Sequence, residues 1–111
     1  MSGYIYLASP YSHPDLAVRV ARYDAACKAS AQLMVAGAIV FCPIAHTHPI
    51  SSWVPERVQT HEFWMNQDLP MLARASGLAV LQIDGWLDSR GVNEEIEFAI
   101  KHNIPVKYIR P

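Results

Sequence analysis

The sequence has little net charge, few cysteines and no long hydrophobic run. Its formal net charge is −1, so it has no overall basic field that would attract nucleic acid or an anionic membrane. No apolar stretch approaches the length that crosses a bilayer, and the first ten residues lack the pattern of a secretory signal. We therefore expect a soluble, cytoplasmic protein with no membrane and no nucleic-acid polymer among its partners.

Several common motifs are absent as well. The two cysteines, Cys27 and Cys42, form no CxxC pair and each lies in an apolar segment, which is typical of reduced, buried thiols. The chain contains neither GxGxxG nor GxxxxGK(S/T). Their absence disfavours a dinucleotide-dependent enzyme and a P-loop NTPase.

The sequence does contain ample material for a core. Of its 111 residues, 51% are hydrophobic and 17% are charged, which predicts one folded domain over residues 1–111. The apolar patterns predict strands at 4–8, 38–42, 78–83 and 105–109, helices at about 14–36, at about 61–75 and within 85–105, and a long proline-containing connection at 43–60. Ser12 and Pro14 are expected to begin the first helix, and Gly37 to end it.

This alternation of strands and helices predicts an α/β fold. We expect a three-layer α/β/α sandwich built on a Rossmann- or flavodoxin-like parallel sheet of four to five strands. Ligands of such sheets bind beyond the carboxyl ends of the strands. Functional residues should therefore lie in segments 9–13, 43–49 and 84–91.

Three glutamates follow the turn at residues 85–91. On a helical wheel Glu94 and Glu97 lie away from the apolar face, whereas Glu95 lies at its border. Glu95 is either a boundary residue that complements the helix dipole or an inward-facing carboxylate.

A second carboxylate, Asp68, stands in the middle of a predicted helix, where aspartate is unfavourable. It is either a surface residue paired with Arg74 or Lys28, or a partner of Glu95. Two carboxylates in different environments are typical of glycosyl chemistry.

Three segments together resemble the nucleoside 2-deoxyribosyltransferase-like superfamily. They are YIYLASPYS at 4–12, QDL at 67–69 and DSRGVNEEIEFA at 88–99. That superfamily includes deoxyribosyltransferases and N-glycosidases that release the base from nucleoside monophosphates. The resemblance covers essentially the whole chain and is closest to small phage and bacterial proteins.

The resemblance implies an enzyme that cleaves the N-glycosidic bond of a 2′-deoxynucleoside or its 5′-monophosphate. Glu95 would form a covalent glycosyl intermediate, Asp68 would assist proton transfer to the base, and Tyr6 would orient the nucleophile. Water or a second base would complete the reaction, as hydrolysis or base exchange. The resemblance also implies no metal, no organic cofactor and a homodimer or larger homo-oligomer.

Substrate contacts are implied or expected at seven positions. By resemblance, Ser9 and Tyr11 contact sugar and base, Ser89 binds the 5′ end, and Gly91 belongs to the same Ser-x-Gly turn. The residues themselves add His46, Trp86 and Arg90 at the ends of the strands. Trp64 is expected in the core or an interface. The first loop, SPYSHP, lacks the glycines and arginine that often hold a phosphate, so Arg90, His13 or Arg19 would have to replace them.

Two alternatives from other classes stay open. One is a non-catalytic nucleotide-binding or sensing domain of the same fold. The other is a metal-dependent hydrolase in which His46 and His48, an HxH pattern, bind zinc together with Asp68.

Overall fold

The polypeptide alternates between strands and helices along the computed structural model, which describes residues 3–111. The elements are β1 (Ile5–Ala8), α1 (Leu16–Val35), β2 (Val40–Phe41), α2 (Pro43–Ser51), a 3-10 turn (Glu56–Val58), α3 (His61–Ala73), β3 (Gly77–Leu81), α4 (Arg90–Lys101) and β4 (Val106–Ile109). The strand boundaries differ from the predicted ones by at most two residues.

The four strands form one sheet in the order β2-β1-β3-β4, and every neighbouring pair is parallel. This order matches the flavodoxin-like arrangement and confirms the predicted α/β fold. The central strands β1 and β3 therefore carry their carboxyl ends to the same edge of the sheet.

Alternating side chains of β1 pack on opposite faces of the sheet. Tyr6 and Ala8 belong to a core shared with α3 and α4, whereas Leu7 belongs to a core shared with α1 and α2. Both central strands are buried, which is expected of parallel strands covered on both faces. The result is the predicted three-layer sandwich.

The first helix begins later than predicted. Its N-cap is Asp15, whose side chain accepts a hydrogen bond from the Ala17 amide at 2.9 Å, so the prediction that Ser12 and Pro14 begin the helix is wrong. Its end is as expected, because Gly37 takes the left-handed conformation with φ 103°. The Ala38 amide then donates to the Leu33 carbonyl at 3.0 Å, which closes the helix.

The connection at 43–60 is not a loop, because it contains α2 and the 3-10 turn. Pro43 occupies the first turn of α2, where a missing N–H costs nothing. Pro49 lies near the end of the helix, where the side chains of Thr47 and Ser51 donate to carbonyls of the preceding turn. Prolines at these two positions are compatible with a short helix, so the sequence pattern was misleading.

None of the helices within residues 3–111 has both the length and the apolar character of a membrane-spanning segment.

Candidate active site

A cavity of about 1420 Å³ opens beyond the carboxyl ends of β1 and β3. The loop after β1, one face each of α1, α2 and α3, and the first turns of α4 line it. This position is the one that the parallel sheet predicts for a ligand site.

The carboxyl group of Glu95 lies at the inner end of this cavity. Val92, Glu95 and Ala99 form the buried face of α4, and Glu95 is only 5% exposed. Its Oε2 accepts a hydrogen bond from the hydroxyl of Tyr6, a fully buried side chain on β1. The inward orientation proposed for Glu95 is therefore the one that the fold adopts.

Burial has a large effect on the protonation of this pair. It raises the pKa of Glu95 to about 8, against the opposing effect of the Tyr6 hydrogen bond and with further repulsion from Asp68 and Glu94. Burial, followed by the charge of Glu95, also raises the pKa of Tyr6 well above its ordinary value. Tyr6 therefore keeps its proton and acts as the donor.

The neighbouring glutamates of α4 have other environments. Glu94 pairs with Nε2 of His61 at 2.9 Å, and Glu97 is exposed. The helical wheel thus separated the three glutamates correctly.

Asp68 lines the same cavity from α3. It shares one helix face with other lining residues at spacings of three, four and seven, namely Met65, Trp64 and His61. Burial raises the pKa of Asp68 to about 6. Within residues 3–111 the side chains at salt-bridge distance are His61–Glu94 and Arg90–Glu62, so the alternative of a surface pair with Arg74 or Lys28 is wrong.

The start of α4 forms a polar part of the wall. Ser89 is the N-cap, and its hydroxyl oxygen accepts from the Val92 amide at 3.2 Å. Ser89, Arg90 and Gly91 all line the cavity. Arg90 is mostly exposed and donates to Oε2 of Glu62 at 3.3 Å. Exposed ion pairs of this kind are weak, so the guanidinium is free to turn toward a ligand.

The loop after β1 adds two further polar groups. Ser9 is 5% exposed, and its hydroxyl oxygen has no hydrogen-bond partner among the described residues. Tyr11 makes a 2.5 Å hydrogen bond between its hydroxyl and Nδ1 of His48, whose ring stacks on Tyr23. Because Ser9, Tyr11 and His48 all line the cavity, this side of the site also offers hydrogen-bonding groups to a ligand.

His46 is not among the cavity-lining residues, so the expectation that it lines the pocket is wrong. Residues two apart on a helix point in nearly opposite directions, and α2 turns His46 outward against Phe41 while His48 faces in. The same geometry separates the two histidines of the HxH pattern. Within residues 3–111 no group of three histidine, cysteine or acidic side chains is arranged to hold a metal ion.

The expectations for the tryptophans are reversed. Trp86 packs against the core and against Tyr108 instead of lining the cavity, whereas Trp64, expected in the core or an interface, does line it. The spacing of four between Trp64 and Asp68 on one helix was the signal that could have identified it.

Residues 3–110 match a protein family described as "Domain of unknown function (DUF1937)". The chain belongs to the DUF1937 family. No curated protein matches it. A solved structure that is similar to this DUF1937 chain belongs to a 2-deoxyribosyltransferase from the psychrotolerant bacterium Bacillus psychrosaccharolyticus, with a TM-score of 0.68 and 24% identity. The match covers 96% of the present chain and 72% of the other, and it shows that the two share a fold.

In this DUF1937 chain, Glu95 and Asp68 form an interacting pair of acids. The raised pKa values of about 8 and about 6 mean that, between these limits, the pair holds one proton and one negative charge. One carboxylate and one carboxylic acid in the same cavity can act as a nucleophile and a proton donor.

Proposed function

We propose that the chain cleaves the N-glycosidic bond of a nucleoside or its 5′-monophosphate, with Glu95 as nucleophile. The observation that carries this proposal is the buried Glu95 carboxyl, held by the Tyr6 hydroxyl and facing a cavity that also contains Asp68. A buried carboxylate beside a second acid suits an oxocarbenium-like transition state, because one group stabilises the developing positive charge and the other handles the proton.

The reaction has two steps. A Glu95 carboxylate oxygen attacks C1′ of the sugar as the bond from C1′ to the base nitrogen breaks, and Asp68 donates its proton to the departing base. The glycosyl ester on Glu95 is then attacked by water or by a second base, whose proton passes to the Asp68 carboxylate. Two displacements at C1′ give net retention of configuration.

The reactive form requires Glu95 to be ionised and Asp68 to be protonated, although their pKa values favour the reverse arrangement. Both arrangements contain the same number of protons, so the ratio between them does not depend on pH. The positive charge that develops on the sugar favours the ionised Glu95, and the Tyr6 hydroxyl stabilises that form further.

The remaining cavity residues supply the substrate contacts in this proposal. Ser9 and Tyr11 face the sugar and base, Ser89 and Gly91 face the 5′ end, and Arg90 can accompany a phosphate if one is present. Trp64 offers an aromatic surface on which a base can stack. No residue of this set requires a metal or an organic cofactor.

The fold supports this reading by analogy. The similar solved structure is that of an enzyme named as a 2-deoxyribosyltransferase, so a nucleoside ligand is the natural first choice for this cavity. Fold alone does not determine function, and the carboxyl pair is therefore the stronger argument.

A chromatographic assay for free base tests the proposal. Purified protein is incubated with each common deoxynucleoside, ribonucleoside and 5′-monophosphate, with and without a second base. Glu95→Gln keeps the shape and the contact with Tyr6 but removes the nucleophile. Glu97→Gln is the matched control, because it makes the same change at an exposed position of the same helix.

We expect release of base by the wild type and by Glu97→Gln, and none by Glu95→Gln. Release into water identifies a hydrolase, whereas turnover that requires a second base identifies a transferase. Binding of nucleosides with no turnover in any mixture would contradict the proposal and favour a sensing domain. Loss of activity with a chelator would favour the metal-dependent alternative.

A further inference from the structure

Two separate loops must hold a fixed distance for the proposed site to work. The loop after β1 carries Ser9 and Tyr11, and the segment after β3 leads into Ser89 and the helix of Glu95. The two strands are hydrogen-bonded neighbours, but their pairing ends at Ala8 and Val80. Beyond that point the sheet no longer sets the separation of the two loops.

One side chain bridges this gap. The guanidinium of Arg22, on α1, donates from Nη1 to the Ser12 carbonyl at 3.0 Å and from Nη2 to the Asp84 carbonyl at 3.3 Å. Both acceptors are backbone atoms, so the contact fixes the course of the two loops and not merely two side chains. A planar guanidinium with several donors is suited to such a double contact, and a lysine ammonium is not.

The residue after Asp84 is adapted to this contact. Gly85 has φ 93°, a conformation that favours glycine, and a Cβ built on it would lie 2.5 Å from Nη2 of Arg22. A side chain at position 85 would therefore push the guanidinium out of the position from which it reaches the Asp84 carbonyl.

We propose that Arg22 is a positioning residue, which sets the spacing between the loop that carries Ser9 and Tyr11 and the segment that leads to Ser89 and Glu95. This role rests on the proposed function for its catalytic consequence. Arg22 does not touch the reacting atoms in this account. It acts by holding the sugar contacts in register with the nucleophile, where a displacement of about 1 Å can lower the rate on the order of 100-fold.

The test compares Arg22→Met, Arg22→Lys and Lys28→Met. At position 22, methionine keeps much of the apolar stem and removes every donor, whereas lysine keeps the charge but can reach only one carbonyl at a time. Lys28→Met is the control, because Lys28 is exposed and lies on the same helix. We expect Arg22→Met to lower kcat about 10-fold or more, Arg22→Lys to recover only part of that loss, and Lys28→Met to match the wild type.

A double-mutant cycle with Gly85→Ala gives a readout that a general loss of stability would not reproduce. A methyl group at position 85 should displace Arg22, so Gly85→Ala should impair kcat more in the wild-type background than in Arg22→Met. Equal effects in both backgrounds, or a wild-type kcat and KM in Arg22→Met, would overturn the inference.

Backbone amide NMR shifts separate this inference from the proposed function. In Arg22→Met the amides of both loops, around Tyr11 and around Gly85, should shift together, while those of Lys28→Met should not. If the wild type turns over no nucleoside but the two loops shift together, the proposed function fails and the positioning role stands. If only one loop or neither shifts, the positioning role fails whatever the enzyme does.

Discussion

At the scale of single residues, the most informative feature is the carboxyl pair of Glu95 and Asp68. Burial raises the pKa of Glu95 to about 8 and that of Asp68 to about 6. The pair therefore shares a single proton between about pH 6 and pH 8, a range in which activity can be measured. In the proposed reaction, Glu95 would be too weak a nucleophile below the lower value, because both carboxyls are then neutral, and no proton donor would remain above the upper value.

Activity should therefore follow a bell-shaped pH profile with limbs near pH 6 and pH 8. In Asp68→Asn the basic limb should disappear, because asparagine has no acidic proton to lose. The remaining activity should rise with pH as Glu95 ionises. The measurement is kcat/KM from pH 5 to 9.5 for both proteins. A flat profile in the wild type would contradict the shared-proton account.

Ser9 gives a second prediction at this scale. Its hydroxyl is buried in the cavity wall without a hydrogen-bond partner in residues 3–111, and such a group costs on the order of 1 to 3 kcal/mol. Ser9→Ala should therefore raise the free energy of unfolding of the unliganded protein by about 1 kcal/mol and weaken substrate binding.

Urea denaturation and KM measure the two effects of Ser9→Ala. Ser76→Ala is a suitable control, because Ser76 also lies outside the helices and strands but its hydroxyl donates to the Tyr4 carbonyl at 3.0 Å. The Ser76→Ala variant should show no increase in the free energy of unfolding. Unchanged substrate binding in Ser9→Ala would remove Ser9 from the site.

At the scale of elements, the N-cap of α4 has a structural role and, in the proposed function, a role in the site. The Ser89 hydroxyl accepts from the Val92 amide and also lines the cavity. Ser89→Ala should lower the free energy of unfolding by about 1 kcal/mol and also reduce kcat/KM. Asp15→Ala, which removes the N-cap of α1 and lies outside the cavity lining, should cost similar stability with a smaller effect on turnover.

Ser89→Asp separates the two roles of the N-cap. Aspartate caps a helix as well as serine does, so stability should be kept. Its negative charge at the wall should reduce turnover of a 5′-monophosphate more than that of the unphosphorylated nucleoside. Equal effects on both substrates, in side-by-side kinetics, would place the 5′ end elsewhere.

The elements also show which parts of the site could be predicted. The helical period of α4 separated Glu95 from Glu94 and Glu97, because residues at that spacing share one face of the helix. The short apolar runs likewise located the four strands. The orientations of His46 and His48 were not predictable, since two prolines concealed α2. Nor could the sequence reveal that one arginine reaches carbonyls of two distant loops, which depends on packing alone.

At the scale of the whole molecule, the buried Glu95 couples stability to pH. Its folded pKa, about 8, lies above the ordinary value of 4.5, so between these values the folded chain holds a proton that the unfolded chain releases. The free energy of unfolding should therefore fall as pH rises from about 5 to 8 and change little beyond. Asp68 adds a smaller fall in the lower part of this range.

Glu95→Gln should remove most of this pH dependence, because glutamine keeps the Tyr6 contact without ionising. The expected difference is on the order of a few kcal/mol between pH 5 and pH 9, since each pKa unit corresponds to about 1.4 kcal/mol. Urea denaturation of the wild type, Glu95→Gln and Glu97→Gln at both pH values measures it. Parallel pH dependence in all three would mean that Glu95 is not the responsible group.

The expected homo-oligomer stays a prediction, and the outer surface offers apolar side chains for it. Val35 is 90% exposed, Trp53 88% and Leu87 67%, and contact between copies would remove such apolar surface from water. Sedimentation velocity over a range of concentrations would measure the oligomeric state, and a monomer throughout would contradict the expectation. One domain over residues 1–111 likewise stays a prediction.

The hydrogen bond between Tyr6 and Glu95 joins residues 89 positions apart in the chain. Contacts of such long range form only after the chain has closed a large loop, whereas helices form within their own segments. Regain of turnover after dilution from denaturant should then lag behind regain of the helical circular dichroism signal. The proposed activity would thus report the completion of folding.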